Sequence, residues 1–221
     1  MRLIIFFLTV TFINCSYGQL QEGFVYLDEF IPSIKTELRY YGNNNFIGTP
    51  IEGYERERAI LSIQAAVALK AVQSELEKSD LSLKIYDSYR PQRAVNHFIK
   101  WARNLNDTLN KSRYYPDVDK KNLFKEEYIA TRSGHSRGST LDLTIVDMIT
   151  CEELDMGSSY DFFGRESWVA YKGISTQQRA NRALLQNVML KHGFRNYPKE
   201  WWHFTLRNEP YPNTYFDFVI E

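Results

Sequence analysis

Residues 133–145 read SGHSRGSTLDLTI, and the fold of the chain turns on this stretch. From Thr140 onward the residues alternate. Leu141, Leu143 and Ile145 fall on one side of an extended chain, and Thr140, Asp142 and Thr144 fall on the other. That period of two marks a strand with one apolar and one polar face. Just ahead of it, Gly134 and Gly138 bracket His135 in a turn. The turn returns a histidine toward a strand whose polar face carries a carboxylate, and such a pair suits a metal ion.

Toward the C-terminus, Glu200-Trp-Trp-His203-Phe-Thr-Leu206 reads as a final strand over Trp201–Leu206. Trp202, Phe204 and Leu206 point into a core, while His203 and Thr205 face the other way. His135, Asp142 and His203 together form a mixed nitrogen and oxygen donor set with a fourth position open for water. Zinc in such a site acidifies its water and polarises a carbonyl, but it needs a base nearby. Glu200 is the candidate base. Positions 200 and 203 face opposite sides of a regular strand, so this role requires an irregular start to the strand, which Pro198 and Lys199 announce. No His-Glu-x-x-His helix occurs, which excludes the helical zinc-protease arrangement.

On the N-terminal side lies Asp87-Ser-Tyr-Arg90-Pro91. A residue before proline is pushed to extended geometry, so Arg90 projects from a strand end at the start of a helix. A fixed guanidinium there stabilises an oxyanion or binds a carboxylate. Each residue alone has a plainer reading: a half-buried histidine beside two tryptophans, a surface ion pair, a solvated glutamate. The ensemble carries the metal reading. His97, within a helical stretch, and His192, at a helix end, read as structural or surface residues.

The surrounding pattern mixes helices and strands. Residues 56–78 read as a helix with a stripe at Ile60, Ile63, Val67, Ala71 and Leu76. Leu81–Tyr86 reads as a strand, and Pro91 opens a helix with Val95, Phe98, Ala102 and Leu105 on its apolar side. Residues 106–128 are polar and tyrosine-rich and read as surface cover. Ser175 with Gln178 forms a capping box for a helix that runs to about His192 and stops at Gly193. There is no regular βαβ rhythm, so the class expected is α+β.

Composition sets the outer limits. The 221 residues carry 27 Lys+Arg against 27 Asp+Glu and are 43% hydrophobic, which suits one globular domain and argues against nucleic-acid or polybasic membrane binding. Two cysteines, Cys15 and Cys151, cannot build a Cys-rich zinc module. Met1-Arg2, an apolar run over Leu3–Ile13, then Ser16 and Gly18 read as a secretory signal cleaved before Gln19. The run is short of the ~20 residues that span a bilayer. Phe12-Ile13-Asn14 is an awkward approach to a lipidated Cys15, so the expectation is a protein exported to the periplasm or beyond the cell, with no stable membrane span.

Tyr89-Arg90-Pro91, Ser133 to Asp142 and Glu200-Trp-Trp-His203, in that order, closely resemble the D-alanyl-D-alanine dipeptidases of the VanX type. Asn45-Phe46, Gly53-Tyr54-Glu55, Arg93 to Asn96, Met156-Gly157 through Asp161-Phe162 and the tail from Arg207 extend the likeness from about Phe24 to Phe218. The resemblance implies a zinc metallopeptidase of the LAS type, with the α+β fold of the D,D-carboxypeptidases and the hedgehog amino-terminal domain: a small antiparallel sheet with flanking helices. It implies one zinc per chain on His135, Asp142 and His203, with Glu200 as general base and Arg90 supporting the tetrahedral intermediate. It also implies that Ser133 and Tyr40 hold the carboxylate of a small D,D-dipeptide, and that Asp161 and Tyr54 place its ammonium. The domain plan is then a signal peptide at 1–18 and a single dipeptidase domain at 19–221. Gly134, Thr140 and Tyr160 depart from the residues usual in that family (serine, alanine and phenylalanine), none at a ligand or base position. Two other readings share these residues: a peptidoglycan D,D- or L,D-carboxypeptidase or endopeptidase, and a non-catalytic module that binds wall peptides.

Overall fold

The computed structural model describes residues 20–221. The expected export signal, Cys15 and Gln19 lie outside the described residues. In chain order the elements are β1 (Phe24–Tyr26), α1 (Leu27–Phe30), β2 (Lys35–Thr36), β3 (Ile60–Ser62), α2 (Ile63–Leu76), β4 (Leu81–Asp87), α3 (Gln92–Arg103), α4 (Lys111–Tyr114), β5 (Thr140–Asp147), α5 (Thr176–Lys191), β6 (Phe194–Tyr197) and β7 (Glu200–Leu206). The class is α+β, as expected. A five-stranded sheet runs in the order β2-β4-β5-β7-β6, and β1 pairs with β3 in a small second sheet. Every neighbouring pair in the larger sheet is antiparallel except β2 with β4, a two-residue parallel edge that the expected antiparallel sheet did not include.

β5 lies in the middle of that sheet and is buried on both faces. Leu141, Leu143 and Ile145 are fully buried in the hydrophobic core, and Thr140, Asp142 and Thr144 are buried on the polar side. Across to β7 the register sets Thr140 against Thr205 and Asp142 against His203. The two threonine hydroxyls meet at 2.9 Å. Helices α2 and α5 pack on each other and on the sheet.

Helix α2 corrects the sequence reading. Ile60 belongs to strand β3, and Ser62 caps the helix by accepting from the Ala65 N–H at 3.4 Å. The buried face is Ala65, Ala66, Leu69, Val72 and Leu76, while Ile63 and Val67 are exposed. Two apolar stripes compete on this helix, and the one with small alanines is buried. α3 begins after Pro91 and buries Val95, Phe98 and Ala102, but it ends at Arg103 and leaves Leu105 exposed. The capping box of α5 forms, with Ser175 accepting from Gln178 N–H and Gln178 accepting from Ser175 N–H. Gly193 then adopts φ +92°, in the left-handed region that glycine tolerates, and turns the chain into β6, a strand the sequence reading did not find. The tail closes the fold: Phe216 and Phe218 pack on Phe24, and the Phe218 ring stacks on Tyr89 at 4.0 Å.

Candidate active site

The turn, the central strand and the final strand deliver three donor atoms to one point. His135 Nε2 lies 3.3 Å from Asp142 Oδ1, His203 Nδ1 lies 3.1 Å from the same oxygen, and the two imidazole nitrogens are 3.3 Å apart. His135 is oriented from behind. Its Nδ1 donates to the Ser88 carbonyl at 2.7 Å, which leaves the Nε2 lone pair aimed at the cluster. Asp142 Oδ1 is buried with no hydrogen-bond partner among the described residues. The donor separations also suit zinc, since bonds of ~2 Å at tetrahedral angles place ligand atoms about 3.3 Å apart. His135, Asp142 and His203 therefore form a site that fits a metal ion.

Glu200 joins them. Its Oε2 lies 3.3 Å from His203 Nδ1, although the two residues are three apart in one strand. The reason is a register irregularity between Asn196 and Tyr197, which sets Tyr197 against Glu200 where β7 begins. The strand start is irregular, as this role requires, and both side chains reach the same cavity.

Arg90 is fixed by Asp87, one layer behind the donors. Asp87 is almost fully buried, and its Oδ2 takes the Arg90 Nε at 2.9 Å and Nη2 at 2.8 Å, while Oδ1 accepts from the Tyr54 hydroxyl at 2.6 Å. Asp87 Oδ2 also lies 3.3 Å from His135 Nδ1. A bulge after Ile85 sets Asp87 opposite Asp142 across the β4–β5 pair. The Arg90 guanidinium lies over the rings of Tyr40 and Phe98, 5.0 and 5.1 Å from their centres. Sequence reasoning passed over Asp87, although its place in Asp87-x-x-Arg90 was the available signal.

The electrostatics show a site rich in negative charge. Burial pushes the Asp142 carboxyl up, but the charges and hydrogen bonds of His135 and His203 outweigh it and hold it well below the usual range. Burial alone would lower His203; hydrogen bonds to Asp142 and Glu200 instead raise it to about 9. Burial, then the charge of Asp142, drives Asp161 well above the ordinary carboxylate range. Burial also raises Asp87, against the pull of Arg90 and His135. Several carboxyls crowd this buried site, and the cations that face them are Arg90 and the imidazoles of His135 and His203.

These residues line a cavity of about 380 Å³. Arg90, His135, Asp142, Glu200 and His203 converge there, with Ser133, Tyr40 and Asp161 on its walls. Ser133 caps the His135 turn by accepting from its N–H at 3.3 Å. The Tyr40 hydroxyl donates to Asp161 Oδ2 at 2.9 Å, and Asp161 holds a left-handed φ of +60°. Tyr54 is not on the wall; its hydroxyl is spent on Asp87. Residues Glu127–Ala130 and Arg132, at and just beyond the end of the segment read as surface cover, form part of the wall. Lys199 ties that rim to the β6–β7 turn, donating to Glu127 Oε2 at 2.6 Å and to the Glu126 carbonyl at 3.1 Å. His97 and His192 lie elsewhere, His97 accepting from the Glu52 N–H and His192 paired with Glu75.

A cluster that fits a metal ion on a mixed sheet, with a carboxylate beside it and a pinned guanidinium in the same cavity, suits metal-assisted hydrolysis. Residues 20–221 match the Peptidase_M15 family, described as D-ala-D-ala dipeptidase, and the chain belongs to it. It is 39% identical over 201 residues to the D-alanyl-D-alanine dipeptidase of Enterococcus faecalis, covering 91% of this chain and all of the relative. The enzyme of that name from Enterococcus faecium is 39% identical over 202 residues, again 91% of this chain and the whole relative. That of Streptomyces coelicolor is 38% identical over 197 residues, 89% of this chain and 98% of its own.

Proposed function

We propose that the chain is a zinc dipeptidase that hydrolyses free D-Ala-D-Ala to two D-alanines. The observation that carries this reading is the triangle of His135, Asp142 and His203 donors with Glu200 beside it and Arg90 in the same cavity. Those three residues would hold one zinc ion. When bound, zinc supplies the Lewis acidity that activates a water and polarises the scissile carbonyl.

The chain's own groups do the rest. Glu200 takes the proton of the attacking water and returns it to the leaving amine. Arg90, already charged and held by Asp87, stabilises the oxyanion without having to reorganise. Ser133 and Tyr40 are assigned to the substrate carboxylate, and Asp161 to the ammonium. An arriving ammonium gives Asp161 a better donor and frees the Tyr40 hydroxyl to turn toward the carboxylate. Tyr54 contributes to this end of the site by fixing Asp87. A blocked amino group brings no ammonium to Asp161, so the Tyr40 hydroxyl stays on Asp161 and is lost to the carboxylate, which is the basis for refusing longer peptides.

The test offers the zinc-loaded protein free D-Ala-D-Ala and an N-acylated D-Ala-D-Ala peptide side by side. Cleavage of the free dipeptide alone is expected. Cleavage of the acylated peptide would move the chain to the wall-trimming carboxypeptidases, and binding without turnover would make it a capture module.

The domain plan and compartment belong to the same proposal: residues 19–221 as one peptidase domain, exported by a signal at 1–18, meeting wall-derived dipeptide outside the cytoplasm. One continuous core from Phe24 to Ile220 supports the single domain. Among the described residues no helix is long and apolar enough to cross a membrane. Mass spectrometry of the processed protein from a cell-envelope fraction tests the cleavage point.

A further inference from the structure

We infer that Tyr160 is a positioning residue that holds Asp142 as a one-oxygen ligand and connects it, through Tyr40, to Asp161. The inference rests on the zinc reading above. Asp142 gives its two oxygens to different partners. Oδ1 faces His135 Nε2 and His203 Nδ1 and is otherwise unpartnered. Oδ2 accepts from the Tyr160 hydroxyl at 3.1 Å, with Arg90 Nη2 farther off at 3.6 Å. A carboxylate free to turn can offer both oxygens to one cation, whereas one whose second oxygen is held offers only the first.

The Tyr160 hydroxyl has little freedom to leave. Its ring is buried, stacked on Tyr86 with centres 4.6 Å apart and planes 16° apart, and it meets the Trp202 ring edge-on at 5.4 Å. The same hydroxyl also lies 3.2 Å from the hydroxyl of Tyr40. A phenol has one proton. That of Tyr40 goes to Asp161, so its oxygen is left to accept, and Tyr160 shares its own proton between Tyr40 and Asp142. A continuous path of hydrogen bonds thus runs from the metal ligand to the carboxylate assigned to the ammonium. Phenylalanine at position 160 would keep the ring packing and cut this path.

The experiment measures zinc affinity by competition with a chromophoric chelator and the visible absorption of the cobalt(II)-substituted protein. Tyr160→Phe is expected to weaken zinc binding ~10-fold or more, the scale on which outer partners of metal ligands act, and to shift the cobalt bands. Tyr86→Phe, which removes a hydroxyl from the neighbouring ring without touching Asp142, should match the wild type in both. Tyr40→Phe frees the Tyr160 proton for Asp142 alone, so it should hold zinc at least as tightly as the wild type while KM for the dipeptide rises. Wild-type zinc affinity and an unchanged cobalt spectrum in Tyr160→Phe would overturn the inference, as would an equal loss of zinc in Tyr40→Phe. Wild-type protein that takes up no zinc would remove the zinc reading and this inference with it.

Discussion

Arg182 offers the sharpest test of how the scaffold supports the site. It sits on α5, is 6% exposed, and spends its donors on backbone carbonyls: Nε on Met156 at 2.6 Å, Nη2 on Glu166 at 2.7 Å and Nη1 on Trp168 at 2.9 Å. Those carbonyls bracket the irregular segment that carries Tyr160 and Asp161. Burial draws the Arg182 pKa down to about 10, against the pull of Asp155, and the three carbonyls solvate the buried charge. Arg182→Met keeps the apolar stem and removes the three bonds. At ~1.5 kcal/mol net for each bond, the low end for a charged donor, the loss is about 4–5 kcal/mol. Relief from burying the charge offsets part of it, which leaves about 3 kcal/mol. In a chain of this size that lowers Tm by ~6–12 °C. The segment that carries Asp161 would lose this anchor, so KM for the free dipeptide should rise by more than kcat falls. Thermal unfolding followed by circular dichroism, together with steady-state hydrolysis, reads both effects. Arg179→Met is the control: it removes bonds to the Lys172 and Ile174 carbonyls from an exposed arginine and should be nearly neutral. An Arg182→Met protein with native Tm and native KM would refute the reasoning.

Glu200→Gln should keep zinc, checked by metal analysis, and lose turnover by ~10²–10⁴, the usual worth of a general base; near-native turnover would remove Glu200 from that role. His203→Ala should lose zinc on dialysis, and full retention would sink the ligand assignment. In the wild type, chelation should lower Tm, since metal at ~100 times its Kd contributes about 2.7 kcal/mol; His203→Ala should be insensitive to the chelator. Asp87→Ala leaves Arg90 and Tyr54 buried without their acceptor, so a loss of about 3–5 kcal/mol is expected in denaturant titration, with a fall in kcat. Native kcat in that variant would show that Arg90 needs no anchor.

Features written in local chemistry were legible in the sequence. The alternation of β5, the proline before α3 and the capping box of α5 each depend on residues a few positions apart, and each formed as read. The three metal-ligand candidates were legible for the same reason: strand alternation fixes the face that Asp142 and His203 take, and the glycine-bounded turn returns His135 to it. What was not legible depends on partners far along the chain. Ile63 and Val67 are as apolar as Leu69 and Val72, and only the close approach allowed by Ala65 and Ala66 decides which face of α2 is buried. The orientation of Glu200 comes from the pairing of β6 with β7, and β6 itself was not foreseen. Asp87 reads as an ordinary strand end until the bulge in β4 sets it against Asp142. The rim residues Glu127 and Tyr128 carried no signal beyond polarity, and the Tyr54 hydroxyl was expected at the substrate but lies behind Arg90.

Asp87, Asp142 and His203 occupy facing positions on three adjacent strands, a single row running across the sheet. Their spacing is therefore set by the backbone ladder, with ~4.8 Å from strand to strand, and not by the loops between them. An insertion inside any of the three strands would break the row, whereas loops of almost any length could join them. A lineage, or a designer, can thus rebuild the rim over residues 127–132 to admit another peptide while the row beneath passes through unchanged.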